Sequence, residues 1–255
     1  MGLKFLSNNL LDAATITAST ENAQYPASNL LDSRRTKTYR STTNSDNIVI
    51  DFGTAESVDH FAIVDNWQNG FGITTITIEA NATDVWTSPA FTTTATLDTT
   101  FGVSVEAFPA ESYRFWRLVL TSTLGYCEIA NMFLGAATDI ATNGVGYNWE
   151  YANNDLSRQS VNRYGQKFID DIGSQKELSN LQFQVMDKDE IDSILSVYDN
   201  NRTVKPFFIY LDLETDSLFN NDDRFNGFYY FKNTPSFSNI SSGYYNTSLN
   251  LIEAK

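Results

Sequence analysis

The N-terminal half of the sequence is a succession of short runs in which apolar and polar residues alternate, and this pattern constrains the fold more than any other feature. Each run is rich in β-branched or aromatic residues and is bounded by Gly, Asn, Asp or Pro, which is typical of half-buried β-strands. No run with a helical period lies between them, so the sequence predicts a mainly β protein whose N-terminal half is a jelly-roll β-sandwich. The predicted strands are 47–52, 57–64, 73–80, 113–121 and 128–134.

The C-terminal half shows further strand patterns and one clear helix. Apolar residues from Ile191 to Tyr198 recur at i, i+3, i+4 and i+7. Asp187 is placed as the N-cap, and Glu190 follows three residues later as its capping-box partner. We therefore predict a helix near 187–200 within a small β-barrel or β-sandwich. The strands predicted around it are 148–151, 167–172, 177–185, 206–213, 224–232 and 244–252.

The composition changes near residue 140, where we predict a boundary between two domains. Of 27 threonines, 22 lie before this point, and the segment 138–146 (TDIATNGVG) is polar and contains two glycines. We therefore predict a jelly-roll domain over 1–140 and a smaller β-rich domain over 141–255. Both halves are acidic, with net charges of −8 and −6.

The charge and the cysteine and histidine counts exclude several classes of function. The chain has one cysteine, one histidine and a net charge of −14. One cysteine cannot form an internal disulfide, and a Cys/His zinc cluster is excluded in the same way. An acidic chain does not suit nucleic acid or an anionic membrane surface. The apolar run at the start is broken at 7–9 (SNN), so we expect neither a signal peptide nor membrane insertion.

Five stretches of the N-terminal half resemble, in order, the motifs of the discoidin family, also called coagulation factor 5/8 type C, of galactose-binding-like jelly rolls. Together they cover about residues 12–137. The resemblance implies a jelly-roll β-sandwich, the fold that the alternation of apolar and polar residues also predicts. The matching stretches are Tyr25–Ser41 (YPASNLLDSRRTKTYRS), Ile48–Gly53 (IVIDFG), Ile73–Ala80 (ITTITIEA), Tyr113–Leu120 (YRFWRLVL) and Glu128–Gly135 (EIANMFLG).

The resemblance also implies a calcium site near the opening loop. Asp32 and Glu128 stand at the matching carboxylate positions, but Arg34 and Lys37 replace the usual Asn and Thr. Two basic side chains compete with a cation for the same carboxylates. We therefore expect Arg34 or Lys37 to form an internal salt bridge in place of calcium, so that no cofactor is favoured.

The family places its ligands on loops at one end of the sandwich. The corresponding loops here are 40–46 and 65–72, the second reading DNWQNGFG. An aromatic face among amide and charged groups suits a sugar ring and its hydroxyls. The alternatives are that the rings pack on the core or contact a neighbouring subunit. The candidate residues for contact with a glycan or a subunit are Arg40, Asp65, Asn66, Trp67, Gln68 and Phe71.

The residues that could support catalysis have simpler structural interpretations. His60 lies in a predicted strand, where Asp59 is expected to face the opposite side. Cys127 has no basic neighbour to lower its pKa and is predicted to be a small buried hydrophobe. Paired carboxylates are the machinery of glycoside hydrolases, but adjacent acids in a turn are usually solvated, so we predict no enzyme. The carboxylate pairs are Asp170 with Asp171, Asp222 with Asp223, and Glu214 with Asp216.

The C-terminal half resembles phage tail-tip and baseplate proteins, in which a β-barrel carrying one helix is joined to a carbohydrate-binding-like module. Lys205–Asp212 (KPFFIYLD) and Tyr245–Ala254 (YNTSLNLIEA) carry this resemblance. It implies a virion structural protein, made in the host cytoplasm, that assembles with other tail proteins and with copies of itself. Its jelly roll would contact host glycans. Two alternatives stay open, namely a carbohydrate-binding adhesin module outside any ring, and a glycoside hydrolase using paired carboxylates.

Overall fold

The computed structural model describes residues 2–65, 72–97, 102–140, 144–146, 148–212 and 225–254. The protein is mainly β, with one α-helix in this part of the chain, as the sequence predicted. None of the helices found there combines the length and apolar character needed to cross a bilayer.

The N-terminal half forms a β-sandwich with two short 3-10 helices at Leu10–Ala13 and Ala27–Leu31. Strands β2, β4, β7, β5 and β6 are hydrogen-bonded in that order, and β9 pairs with β4. The strands of residues 2–140 are β1 (Gly2–Leu6), β2 (Thr15–Ala18), β3 (Tyr39–Arg40), β4 (Ser45–Val64), β5 (Ile73–Asn81), β6 (Phe91–Ala95), β7 (Val103–Ser122), β8 (Glu128–Ile129), β9 (Asn131–Gly135) and β10 (Thr138–Asp139).

Two long strands, paired with each other, lie in the middle of the N-terminal sheet. β4 and β7 are 20 residues each and pair antiparallel from Ser45↔Thr121 to Val64↔Val103. The sequence predicted two separate strands at 47–52 and 57–64, and this was wrong. The pairing shifts register between Asp51 and Glu56, so the strand bends at an irregularity and continues instead of ending.

Alternation along these strands builds the N-terminal core. Ile48, Ile50, Leu118 and Leu120 are buried, whereas the residues between them are only partly buried. Trp116 is the largest fully buried side chain. Each large apolar side chain buried in this way contributes about 1.5–3 kcal/mol, which is enough for a stable core without metal or disulfide.

The C-terminal half is built on an eight-stranded sheet and one helix. The sheet order is β10-β1-β15-β16-β18-β14-β11, with β17 paired to β18, and β12 and β13 form a separate two-stranded hairpin. The remaining elements are β11 (Glu150–Asp155), β12 (Arg158–Val161), β13 (Lys167–Asp170), β14 (Ser174–Met186), α1 (Lys188–Asn201), β15 (Phe207–Asp212), β16 (Gly227–Phe231), β17 (Phe237–Ser241) and β18 (Tyr244–Glu253).

The helix begins where the sequence predicted. The Asp187 carboxylate accepts from the Glu190 amide at 3.0 Å, and the Glu190 carboxylate accepts from the Asp187 amide at 2.9 Å. This capping box satisfies two of the amides that the first turn leaves without helical partners. The helix buries Ile191, Ile194 and Val197 against the sheet.

The first strand belongs to the C-terminal sheet. β1 pairs antiparallel with β15 from Gly2↔Asp212 to Leu6↔Phe208, and β10 pairs with the other edge of β1. The predicted division at residue 140 assigned residues 1–140 to the other domain. Alternation indicates which face of a strand is buried but not which distant strand it pairs with, so the pairing of β1 with β15 could not be predicted.

An apolar cluster joins the two halves, and we call it the domain interface. In it, Phe208 and Phe228 pack against each other with ring centroids 4.7 Å apart and ring planes tilted by 40°. Both rings are buried, in contact with strands of the N-terminal sandwich. The buried residues of this cluster are Leu6, Ala62, Val64, Val103, Ala130, Phe133, Phe208, Phe228 and Ala254.

A buried ionic network reinforces the domain interface. One Arg35 amino group lies 2.5 Å from the Asp65 carboxylate, and the other lies 3.5 Å from the Glu253 carboxylate. The Glu253 carboxylate also accepts from the Lys176 amide at 2.9 Å. Arg35 and Asp65 come from the N-terminal half and Glu253 from β18, so the network links the two halves through one cation shared by two carboxylates.

Candidate ligand-binding site

The site lies at one end of the sandwich, which we call the loop end. There β4 begins beside the end of β7, through Ser45↔Thr121, and β5 begins at Ile73↔Ser122. The segments 41–44 and 123–127 leave the sheet at this end. They are joined because the Ser41 amide donates to the Cys127 carbonyl at 2.9 Å, and the Cys127 amide donates to the Ser41 hydroxyl at 2.7 Å.

Arg40 is fixed at the loop end by its backbone. Its amide donates to the Tyr25 carbonyl at 2.9 Å, and its carbonyl accepts from the Asn22 amide at 2.8 Å. On its other side it pairs with Glu128 in the short sheet of β3 and β8. The backbone therefore brings together three chain segments that are far apart in sequence.

The Arg40 side chain lies between two aromatic rings. Its guanidinium carbon is 4.5 Å from the Tyr25 ring centroid and 4.3 Å from the Tyr126 ring centroid. One amino group donates to both oxygens of the buried Glu128 carboxylate at 3.1 Å. The Thr38 hydroxyl donates to the same carboxylate at 2.8 Å. We call Tyr25, Arg40, Tyr126 and Glu128 the arginine platform.

The arginine platform is rigid but not closed to solvent. Each cation–π contact contributes about 0.5–2 kcal/mol, and the ion pair adds a charge-assisted hydrogen bond. Even so, the Arg40 side chain keeps 24% of its surface exposed. Thr42, Thr43 and Asn44, which follow it in the chain, are exposed. The result is a fixed cationic group beside hydroxyl and amide side chains.

A buried carboxylate fixes the neighbouring loop. Asp46 accepts from the Ser19 hydroxyl at 2.5 Å, from the Thr20 amide at 2.9 Å, and from the Tyr39 hydroxyl. Burial, together with the hydrogen bond to Asp46, raises the pKa of Tyr39 well above its usual range. Tyr39 therefore stays a neutral donor, and the loops that lead to Arg40 are tied to the core.

The second predicted loop is described only at its ends. Asn66, Trp67, Gln68 and Phe71 lie outside the described residues, and their contact with a ligand or subunit stays a prediction. The Gly72 carbonyl accepts from the Ser122 hydroxyl at 2.7 Å. A Cβ added at Gly72 would lie 2.4 Å from a methyl carbon of Leu124. Gly72, which follows the undescribed residues, therefore lies against the segment that leads to Tyr126, at the same end of the sandwich as Arg40.

Asp65, the first residue of that loop, already has a partner within the chain. Its carboxylate pairs with Arg35, and its carbonyl accepts from the Arg35 guanidinium at 3.1 Å. Its amide donates to the Gly102 carbonyl at 2.9 Å. The structure thus gives Asp65 a place in the domain interface, whereas Arg40 faces solvent at the loop end.

The two candidate calcium ligands both carry basic partners. Arg34 donates to the two Asp32 oxygens at 2.9 and 2.5 Å, and this bond lowers the pKa of Asp32 to about 2. The expected salt bridge to Arg34 is therefore confirmed. The basic partner of Glu128 is Arg40, which reaches it from the adjacent strand. In the described part of the chain, no three His, Cys, Asp or Glu side chains cluster as metal ligands would.

His60 and Cys127 are both buried, and the burial of Cys127 was predicted. Asp59 and His60 do not face opposite sides, because the register shifts between Val58 and His60. Their side chains lie 2.6 Å apart, from Nδ1 to Oδ1. Burial raises the pKa of the Cys127 thiol to about 11, so the reactive thiolate is suppressed.

The acidic pairs divide between described and undescribed residues. Asp170 and Asp171 are exposed, and Asp171 accepts from the Gly173 amide at 2.9 Å. Both carboxylates are solvated, as predicted, but Asp170 ends strand β13 instead of lying in a turn. The pairs 214/216 and 222/223 lie outside the described residues.

Sequence reasoning missed the two rings that hold Arg40. Tyr25 opens the stretch YPASN, and Tyr126 directly precedes the single cysteine. The available signal was an aromatic residue in each of two polar loops, one at the start of the first discoidin-like stretch and one just before the last. Only the pairing of Arg40 with Glu128 shows that these two loops meet.

Neither a protein-family model nor a curated protein matches the chain. Among solved structures, the chain is similar to the module CpGH89CBM32-5 from Clostridium perfringens, in complex with GalNAc-β-1,3-galactose. The identity is 13%, the TM-score is 0.43, and the match covers 51% of this chain and 100% of that one. A family 32 carbohydrate-binding module from C. perfringens NanJ, in complex with galactose, matches at 17% identity and TM-score 0.42, over 52% and 98%. Chitosan-binding module 1 of a Paenibacillus sp. IK-5 chitosanase/glucanase matches at 20% identity and TM-score 0.41, over 51% and 99%.

Proposed function

We propose that the N-terminal half of the protein binds carbohydrate, with the arginine platform at the centre of the binding surface. The observation that carries this proposal is that Arg40 is held between Tyr25 and Tyr126, is paired with Glu128, and still exposes part of its side chain. The proposed role is recognition of a sugar rather than its hydrolysis.

The chemistry of the platform suits a neutral sugar. The guanidinium edge donates hydrogen bonds to sugar hydroxyls, and the tyrosine rings supply apolar edges. The positive charge of Arg40 is balanced by Glu128, so an uncharged ligand is not penalised. Because the guanidinium is already fixed, binding loses little side-chain entropy. Trp67 and Phe71 are proposed to add ring faces to this surface.

Titration calorimetry of the full chain tests the proposal with galactose, GalNAc-β-1,3-galactose and chitotriose as probes, supported by a glycan array. These are sugars named with the similar solved structures. We expect Arg40→Gln and Tyr126→Ala each to weaken binding at least tenfold, a loss of about 1.4 kcal/mol.

The chain offers a matched control for Arg40. Arg117 also lies over an aromatic ring, 4.7 Å from the Trp86 centroid, and also pairs with a carboxylate, that of Glu79. Its partners lie on β5 and in the loop that follows β5. Arg117→Gln should therefore leave glycan affinity unchanged. A wild-type chain that binds no glycan, or an Arg117→Gln variant that loses as much affinity as Arg40→Gln, would refute the proposal.

A second candidate is a structural subunit of a phage tail tip or baseplate, and a different observation favours it. The apolar domain interface and the Arg35 network hold the two halves in a fixed arrangement, whereas domains with small polar interfaces move relative to each other. A fixed two-domain unit is what a particle subunit requires. A cryo-EM map of the particle should show the chain repeated in a ring. Its absence from the purified particle would reject this candidate.

A further inference from the structure

The hairpin β12–β13 is an ordered arm. Its strands pair from Arg158↔Asp170 to Val161↔Lys167 and join no other sheet in the described chain. The Asn162 side chain accepts from the amides of Tyr164 and Gln166 at 2.9 and 3.0 Å, which closes the turn. At its base, the Leu156 amide donates to the Gly173 carbonyl at 2.9 Å. The arm therefore continues the hairpin of β11 and β14.

The arm exposes a concentration of apolar side chains. Five of the thirteen exposed large hydrophobic residues of the described chain lie within residues 161–172. Tyr164 is 73% exposed, Ile169 62% and Phe168 56%. Phe168 pairs with Ser160 on one face, and Ile169 pairs with Gln159 on the other. The described part of the chain covers neither face, and an isolated two-stranded hairpin is marginally stable in water.

The arm also differs in charge from the rest of the chain. Residues 158–170, which span both strands, contain Arg158, Arg163 and Lys167 and one acidic residue, Asp170, so the arm carries a net charge of +2. With the whole chain at −14, the remainder carries sixteen net negative charges. The arm is thus attracted to the body of another copy of the chain and repelled by the arm of that copy.

We propose that the β12–β13 arm docks on the acidic body of a second copy of this chain. Burial of the exposed apolar side chains supplies the affinity of this contact. Charge complementarity favours docking on the body of the second copy over pairing with its arm. Such a contact gives a two-fold dimer where two copies exchange arms reciprocally, and a closed ring or an open filament where each arm docks on the next copy. The proposal concerns the arm alone and does not depend on glycan binding at the arginine platform.

Sedimentation velocity and light scattering of the full chain, over about two orders of magnitude in concentration, test the proposal. The wild type should self-associate. The variant Phe168→Ser/Ile169→Ser should stay monomeric with an unchanged melting temperature, because both side chains lie outside the cores. A matched control, Val85→Ser/Val204→Ser, removes two exposed apolar side chains elsewhere and should associate like the wild type.

The charge variant Arg163→Glu/Lys167→Glu distinguishes the two possible contacts of the arm. It should associate at least tenfold more weakly than the wild type, and an equal mixture with the wild type should associate no more strongly than the wild type alone. A mixture that associates more strongly would mean that arms pair with arms. That result, a monomeric wild type, or an unchanged Phe168→Ser/Ile169→Ser variant would overturn the proposal.

Discussion

The domain interface and the β12–β13 arm are both apolar surfaces that lie outside the two main cores. Phe208 and Phe228 in the interface are almost completely buried, and the residues around them come from both halves of the chain. Phe168 and Ile169 in the arm are of the same chemical kind but are mostly exposed. In the interface the partner surface belongs to the chain itself. For the arm, the described chain supplies none.

This difference determines what each surface contributes. Burying a Phe or Ile side chain yields about 1.5–3 kcal/mol. The interface already gains this free energy on folding, and it joins the two halves. The arm does not gain this free energy until another surface covers its apolar side chains. Substitutions in the interface should therefore change stability, and substitutions in the arm should change association.

The largest expected effect separates two phenylalanines. Phe208→Ala should lower the free energy of unfolding by about 3–5 kcal/mol, because it removes a buried ring and leaves a cavity. Phe168→Ala should change it by less than about 0.5 kcal/mol, as is usual for exposed positions. Urea unfolding at low protein concentration, where association is suppressed, measures both. Equal losses would mean that the arm is packed in solution and that the comparison fails.

The secondary structure could be predicted well from the sequence because its causes are local. The helix predicted near 187–200 is observed at Lys188–Asn201, with the predicted capping box at Asp187 and Glu190. Alternation located strands in both halves. It did not show that 47–52 and 57–64 form one strand, because a register shift depends on the partner strand.

The features that sequence reasoning missed are non-local. The partner of β1 is β15, about two hundred residues away. Arg40 was identified as a ligand-binding candidate, but its two rings come from segments near Tyr25 and Tyr126. The strand predicted at 167–172 is present in part as β13, yet its apolar residues gave no sign that both faces would be exposed.

The next effect concerns two adjacent arginines. Arg35→Ala should destabilise the protein by about 3–5 kcal/mol, because it leaves the carboxylates of Asp65 and Glu253 buried without their cation. Arg34→Ala removes an exposed ion pair and should leave the stability almost unchanged. Thermal and urea unfolding of both variants give the comparison. If Arg35→Ala cost no more than Arg34→Ala, the ionic network would not hold the interface together.

The smallest expected effect is a pH dependence of the stability that arises at Asp32. The neighbours of Asp32 in the chain, Leu31 and Ser33, line a small cavity beside Phe208 and Phe228. Arg34 holds the pKa of Asp32 at about 2, against 3.8 without a partner. A carboxyl whose pKa falls on folding stabilises the folded state above pH 3.8, and this stabilisation is lost as the pH falls toward 2. Because the pair is largely exposed, the contribution should stay below about 1 kcal/mol.

Carboxyl NMR titration should show that Arg34→Gln returns the pKa of Asp32 toward 3.8. The control Arg114→Gln, which breaks the matching ion pair with Asp51, should leave the pKa of Asp32 unchanged. An Asp32 pKa that stays near 2 in Arg34→Gln would show that another cation reaches this carboxylate, and the expectation that Arg34 replaces calcium here would then be wrong.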